Sequence, residues 1–228
     1  MGSFFKKYWL TDTQPPQPAP APPAKETPAP KPVEPVKSDV KVKTCPKTPA
    51  EYAAKYAAAV INPSKLATCQ TIATKLLKYK DTHYAPVGEI VGCPWYVVAC
   101  IHMQECGEDV GVFKAVLHNG EKIVGTGKKT KLVPRAQGPF ATWEEAAIDA
   151  LGGKNALAKK KWDVGSALQF LEAYNGLGYR AHDVSSPYLW SYTNQYTKGK
   201  YVADGVWSET AVSKQQGCAA IMKALQIV

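Results

Sequence analysis

Residues 93–105 constrain the fold more than any other stretch of this chain. They run Cys93, Pro94, Trp95, Tyr96, Val97, Val98, Ala99, Cys100, Ile101, His102, Met103, Gln104 and Glu105, with Gly107 close behind. Pro94 suits a first helical position, because the N–H it lacks would be unpaired there. Gly107 is a stop signal. The spacing predicts a helix that is apolar on nearly every face, and such a helix is buried. Glu105 falls in its last turn. A carboxyl group there has two reasons to keep its proton: burial disfavours the charged form, and so does the negative end of the helix dipole. A carboxylic acid still protonated near neutral pH is what protonation of a leaving-group oxygen requires. Glycosidic bond cleavage is the chemistry that most often uses one.

A second segment fits the first. Residues 168–180 read as an amphipathic helix running into a glycine turn, with Tyr174 and Asn175 at its end, where side chains reach a cleft. A buried helix ending in Glu105, followed by a helix ending in Ala173, Tyr174, Asn175 and Gly176, resembles the lysozyme-like superfamily of peptidoglycan-cleaving enzymes. Goose-type lysozymes, soluble lytic transglycosylases and phage endolysins belong to it. The resemblance runs from about Thr48 to the C-terminus. It is closest to phage-type endolysins, through Pro94-Trp95 before the acid, His118-Asn119-Gly120 after it and Thr142-Trp143-Glu144-Glu145 further on. Cys106 stands where transglycosylases usually carry Ser. The resemblance implies cleavage between N-acetylmuramic acid and N-acetylglucosamine, with Tyr174 and Asn175 beside the acid and no cofactor or metal. It also implies action at the bacterial cell wall, as a free endolysin causing bacteriolysis or as a virion component.

The expected fold class is mainly α (α+β): a lysozyme-like helical domain with a small β-rich insertion, behind a Pro-rich disordered linker. Residues 1–12 form a short aromatic and basic unit, with Phe4, Phe5, Tyr8 and Trp9 around Lys6 and Lys7. It suits a membrane surface or a docking groove on a virion protein, against the bland reading of a disordered end. Residues 13–47 are a linker. Its prolines exclude helix and sheet and favour extended polyproline II, about 75 Å for some 25 residues at roughly 3.1 Å each. Residues 48–228 are the globular domain. Within it the periodicity predicts helices over 50–60 and 64–80, a connector over 86–93, and a helix from Thr142, which with Glu145 matches a capping box. Further helices are predicted over 164–174, from Ser186-Pro187, and from a cap at Ser208 to Leu225. Residues 123–124 and 131–133 read as short strands in the insertion.

Hydrolysis to a reducing end needs a second carboxylate; transglycosylation, in which the muramic C6 hydroxyl attacks, needs only the acid. Glu121 is the best second carboxylate, with Glu108 and Asp109 behind it; a solvated loop is the competing account of all three. His118 and Asn119 are candidates for sugar hydroxyls, although Asn119-Gly120 also reads as a plain turn. Trp143 and Tyr179 join Tyr174 as aromatic faces for sugar rings.

The net charge of +9 points to an anionic partner. Peptidoglycan and membrane surfaces qualify; nucleic acid does not, since no zinc-finger spacing, RNP aromatics or basic helix is present. Lys128-Lys129 and Lys159-Lys160-Lys161 are the densest basic runs, either solvated faces or contacts to an acidic envelope. No secretory signal pattern and no span of about 20 apolar residues is visible. The six cysteines lack metal-site spacing and are either free thiols or disulfides formed after export. Two other classes compete with the glycosidase: a cysteine peptidase using Cys93 or Cys106 with His102, His118 or His182, and a non-catalytic wall-binding or virion structural protein.

Overall fold

The computed structural model describes residues 45–107 and 110–228. The segment 1–12, the Pro-rich stretch and the loop acids Glu108 and Asp109 lie outside the described residues. Within the described residues the chain is mostly helical, with eight α-helices and one two-stranded sheet. No single helix there is long and apolar enough to cross a membrane.

The central element is α4, Trp95–Cys106. Pro94 precedes it as the N-cap, one position earlier than the spacing predicts. From Val97 to Met103 every residue is at 0 % exposure, so this stretch meets solvent on no face. Burying Val97, Val98, Ile101 and Met103 contributes roughly 1.5–3 kcal/mol each. Packed against it are α3 (Ala85–Val91), the π-helical turn Lys80–Tyr84 before it, α6 (Val164–Asn175) and α8 (Cys218–Ala224).

A first helix, α1 (Pro49–Ala57), opens on a capping box. The Thr48 hydroxyl accepts from the Glu51 N–H, and the Glu51 carboxylate accepts from the Thr48 N–H. It lies so close to α6 that a Cβ at Gly165 would sit 2.0 Å from the Pro49 carbonyl oxygen, so only glycine fits. Between the two helices the buried Glu172 accepts hydrogen bonds from the Tyr52 hydroxyl and from the Arg180 guanidinium, the latter at 3.0 Å. A buried carboxylate persists here because a cation and a hydroxyl replace its water. Helix α2 (Leu66–Lys78) follows a 3-10 turn at Pro63–Lys65 and packs on α8. Helix α5 (Trp143–Ala150) carries the Thr142–Glu145 capping box that the spacing predicts, so Glu145 is a cap. The aromatic turn α7 (Pro187–Trp190) is fully packed.

Three expectations change. The connector over 86–93 is instead α3, with Pro86 in its first turn, where a missing N–H costs nothing. Ser208 does not cap the last helix. It ends strand β2 (Val206–Ser208), which pairs antiparallel with β1 (Lys200–Ala203), and α8 starts only at Cys218. The strands expected at 123–124 and 131–133 do not form; the described part of that region holds one isolated bridge, Ala115 to Lys122. Pro134 and Pro139 have no N–H to offer a ladder. The loop is closed by the buried Thr130 instead. Its hydroxyl donates to the Pro134 carbonyl at 2.7 Å and accepts from the Gln137 N–H at 3.0 Å. All six cysteines are free thiols.

Candidate active site

Glu105 sits half-buried in the last turn of α4. It has no hydrogen-bond or ion-pair partner among the described residues. Burial pushes its carboxyl from 4.5 up to about 7, so a large share of it is protonated at neutral pH.

Main chain forms one wall of its surroundings. The loop after α4 returns over the acid at Gly120, where a Cβ would lie 2.8 Å from the Glu105 carbonyl oxygen and 3.6 Å from Oε2. Gly120 also holds a φ of 76°, so both space and backbone require glycine. Tyr174, in the last turn of α6, forms a second wall. Its hydroxyl donates to the carbonyl of the buried Leu117 at 2.7 Å. Burial first, and then the Glu105 carboxyl nearby, raise the phenol's pKa.

The acid's mounting is rigid. Gln104 Nε2 donates to the Gln216 carbonyl at 2.7 Å and to the Tyr188 carbonyl at 3.1 Å, while Gln215 Nε2 donates back to the Gln104 carbonyl at 2.8 Å. The end of α4 is thereby tied to α7 and to the segment before α8. Tyr188 is buried and its hydroxyl has no partner among the described residues. Its pKa is raised by burial, then by Cys218 and Glu105 close by. With no exposed surface, that hydroxyl belongs to the packing behind the acid and lies out of a substrate's reach. Gln104 carries no local sequence signal for this role; Tyr188 stands out in the sequence only as one of several aromatic residues, with Trp190 and Tyr192, suited to a sugar ring.

The other predicted site residues go elsewhere. Asn175 ends α6, exposed, one residue beyond Tyr174. Trp143 is 2 % exposed and is core, not a sugar platform. It packs against His102 at 4.8 Å and Phe113 at 5.0 Å between ring centres. Tyr179 lies in the 3-10 turn Gly178–His182 and packs on the hairpin, edge-on to Tyr201 and Trp207 at 5.3 and 5.8 Å. The His118 side chain faces inward, bonded to Asp149 at 2.9 Å and stacked on Phe140. Asn119 donates to Glu121 and to the Leu132 carbonyl. So the loop 118–121 does reach the acid, but through its backbone.

Glu121 serves the loop. Its carboxylate accepts from the Leu132 N–H at 2.9 Å, the Lys131 N–H at 2.8 Å and the Asn119 amide at 3.2 Å. Those bonds, the Leu132 N–H foremost, hold it below the usual carboxylate range and ionised.

Cys93 and His102 do not form a peptidase pair. Burial pushes the Cys93 thiol up to about 12, the reverse of an activated nucleophile. Burial pushes His102 down to about 4, so it is neutral; its Nδ1 pairs with the Tyr84 hydroxyl at 2.9 Å. Among the described residues no group of three His, Cys, Asp or Glu could hold a metal ion. The cavity under the hairpin, about 390 Å³, is lined by Tyr196, Lys198 and Trp207 and does not include Glu105.

No family model, curated protein or solved structure matches the chain. What the site can do rests on its geometry: an acid at the end of a buried helix, under a main-chain wall, with two tyrosines beside it.

Proposed function

We propose that this protein cleaves the glycan strand of peptidoglycan between N-acetylmuramic acid and N-acetylglucosamine, with Glu105 as general acid. The observation that carries the reading is a half-buried carboxyl with a pKa near 7 and no cation beside it among the described residues. Such a group gives a proton to a departing glycosidic oxygen at neutral pH without first breaking an ion pair. The lysozyme-like architecture, and a role in bacteriolysis as an endolysin or virion-borne enzyme, belong to the same proposal.

The engagement of Glu121 favours the form of the reaction that needs one carboxylate. Glu105 protonates the bridging oxygen and the C1–O bond breaks. The muramic C6 hydroxyl then attacks C1, and the Glu105 carboxylate takes that hydroxyl's proton. The acid returns to its starting state, and the product ends in anhydro-muramic acid. Tyr174 borders this site, its hydroxyl held on the Leu117 carbonyl.

The test is mass spectrometry of fragments released from purified peptidoglycan by the wild type and by Glu105→Gln. Anhydro-muramic ends that vanish in the variant support the transglycosylase form. Reducing ends that vanish support a muramidase and reopen the search for a second carboxylate. If the wild type releases nothing, or only cut stem peptides, the proposal is wrong, and the wall-binding or peptidase reading replaces it.

A further inference from the structure

The outer face of α6 borders a groove of about 390 Å³ that the glycan reaction does not use. Ser166, Phe170 and Ala173 recur along it at helical spacing on α6, Leu177 follows just past the helix end, and Lys160, Lys161 and Arg180 supply its charge. Among the described residues no acidic side chain lines it, although the Asp163 carboxylate accepts from the Ser166 hydroxyl at its edge at 2.8 Å. Arg180 is partly neutralised by its bonds to Glu172, which leaves the two lysines as the groove's free positive charge. The Lys160 ammonium, though exposed, lies 5.7 Å from the centre of the Phe170 ring, at the edge of the groove. Leu177 is 44 % exposed, an uncovered apolar surface at the end of the same stripe. The groove adjoins the acid's surroundings: the Phe170 and Tyr174 rings are 6.2 Å apart, and Tyr174 reaches across to Leu117 beside Gly120.

We propose that this groove binds the stem peptide carried by the muramic acid of the strand being cut. The choice of occupant rests on the glycan-cleavage reading above. The stem alternates small methyl side chains with carboxylates, which matches an apolar floor edged by lysines. The lactyl ether that bears it lies on the sugar next to the scissile bond, so it leaves the cleft from beside the acid. The lengths are similar: the seven steps from Ser166 to Ala173 rise about 10 Å along the helix, and four extended peptide residues span about 13 Å. A bare glycan would leave the groove empty. The stem therefore adds affinity in proportion to the carboxylates it brings, and salt weakens that part of the binding.

The test uses the full chain and the soluble tetrapeptide L-alanyl-γ-D-glutamyl-meso-diaminopimelyl-D-alanine, followed by NMR. The expected result is shifted resonances at Phe170, Ala173 and Leu177. In Lys160→Ala/Lys161→Ala the affinity falls about ten-fold, equivalent to about 1.4 kcal/mol. Both lysines are exposed, so the variant folds normally, and a thermal melt checks this. In parallel, KM for stem-bearing glycan rises in the variant while KM for amidase-stripped glycan stays unchanged. No shift at those residues, or equal affinity in the variant, overturns the groove assignment even if glycan cleavage is intact. Tetrapeptide binding in the groove by a chain that cuts no glycan upholds the groove and sinks the glycosidase reading.

Discussion

Two glutamates lie near the ends of two core helices, and they show what burial alone does and does not make. Glu172 on α6 is 1 % exposed and carries the Arg180 guanidinium and the Tyr52 hydroxyl on its carboxylate. Glu105 on α4 is less deeply buried, yet it has no partner among the described residues and keeps its proton up to about pH 7. A partnered carboxylate is a clamp: its charge holds α1, α6 and the turn after α6 together. An unpartnered one is a proton held in store. Depth does not separate the two; the cation does.

The sharpest way to break this contrast is to neutralise each acid in turn. Glu105→Gln is expected to lower cleavage of peptidoglycan by about 10²–10⁴, the usual worth of a general acid. Glu172→Gln, where still folded, retains the rate, so a loss of comparable size there would erase the distinction. Stability should run the other way. Glu172→Gln leaves Arg180 without its counter-charge and is expected to cost about 3–5 kcal/mol in urea unfolding.

For Glu105 the sign follows from its raised pKa. The folded state binds the proton more tightly than the unfolded one, so the stabilisation is complete below 4.5 and is lost as pH rises to about 7. Glu105→Gln carries no such loss. It should be more stable than the wild type by about 3 kcal/mol at pH 8, with the gap closing by about pH 4. Melting curves of both proteins across that range decide it; a gap independent of pH would contradict a raised pKa. The rate itself should fall as pH rises through about 7.

Smaller effects probe the surroundings. Gly120→Ala forces a Cβ onto the Glu105 carbonyl and strains a left-handed residue, at a cost of about 1–3 kcal/mol. Its cleavage rate should drop more than that loss of stability explains, which single-turnover kinetics on folded protein can show. Glu121→Gln should matter least. It loosens the Lys131–Leu132 turn slightly and leaves the rate within about a few-fold. A drop of a hundred-fold or more would restore Glu121 as the second carboxylate.

Much of this was legible in the chain. The helix bearing Glu105 declares itself because seven successive residues need burial, and a helix buried on all sides has one place to go. The Thr142–Glu145 box is equally local. Trp143 shows where local reading stops: its box is plain, but its burial depends on His102 and Phe113, brought from other parts of the sequence. Gly120 has the same character, visible as a turn but not as a neighbour of Glu105. The hairpin is a different case. Asp204-Gly205 between Val202 and Val206 is a strong short-range hairpin signal, and extending a helix from Ser208 overrode it. Gln104 had no signal at all, since its partners lie more than 80 residues away.

The backbone passing over Glu105 at Gly120 bears on how proteins of this build can diversify. Where side chains form a wall, single substitutions reshape it a methyl group at a time. Here the wall at that point is peptide, and the one residue in contact tolerates no side chain. Divergence at this point has to come through insertions and deletions between Gly107 and Thr142. Loop length, more than residue identity, is then the variable that sets the room beside Glu105.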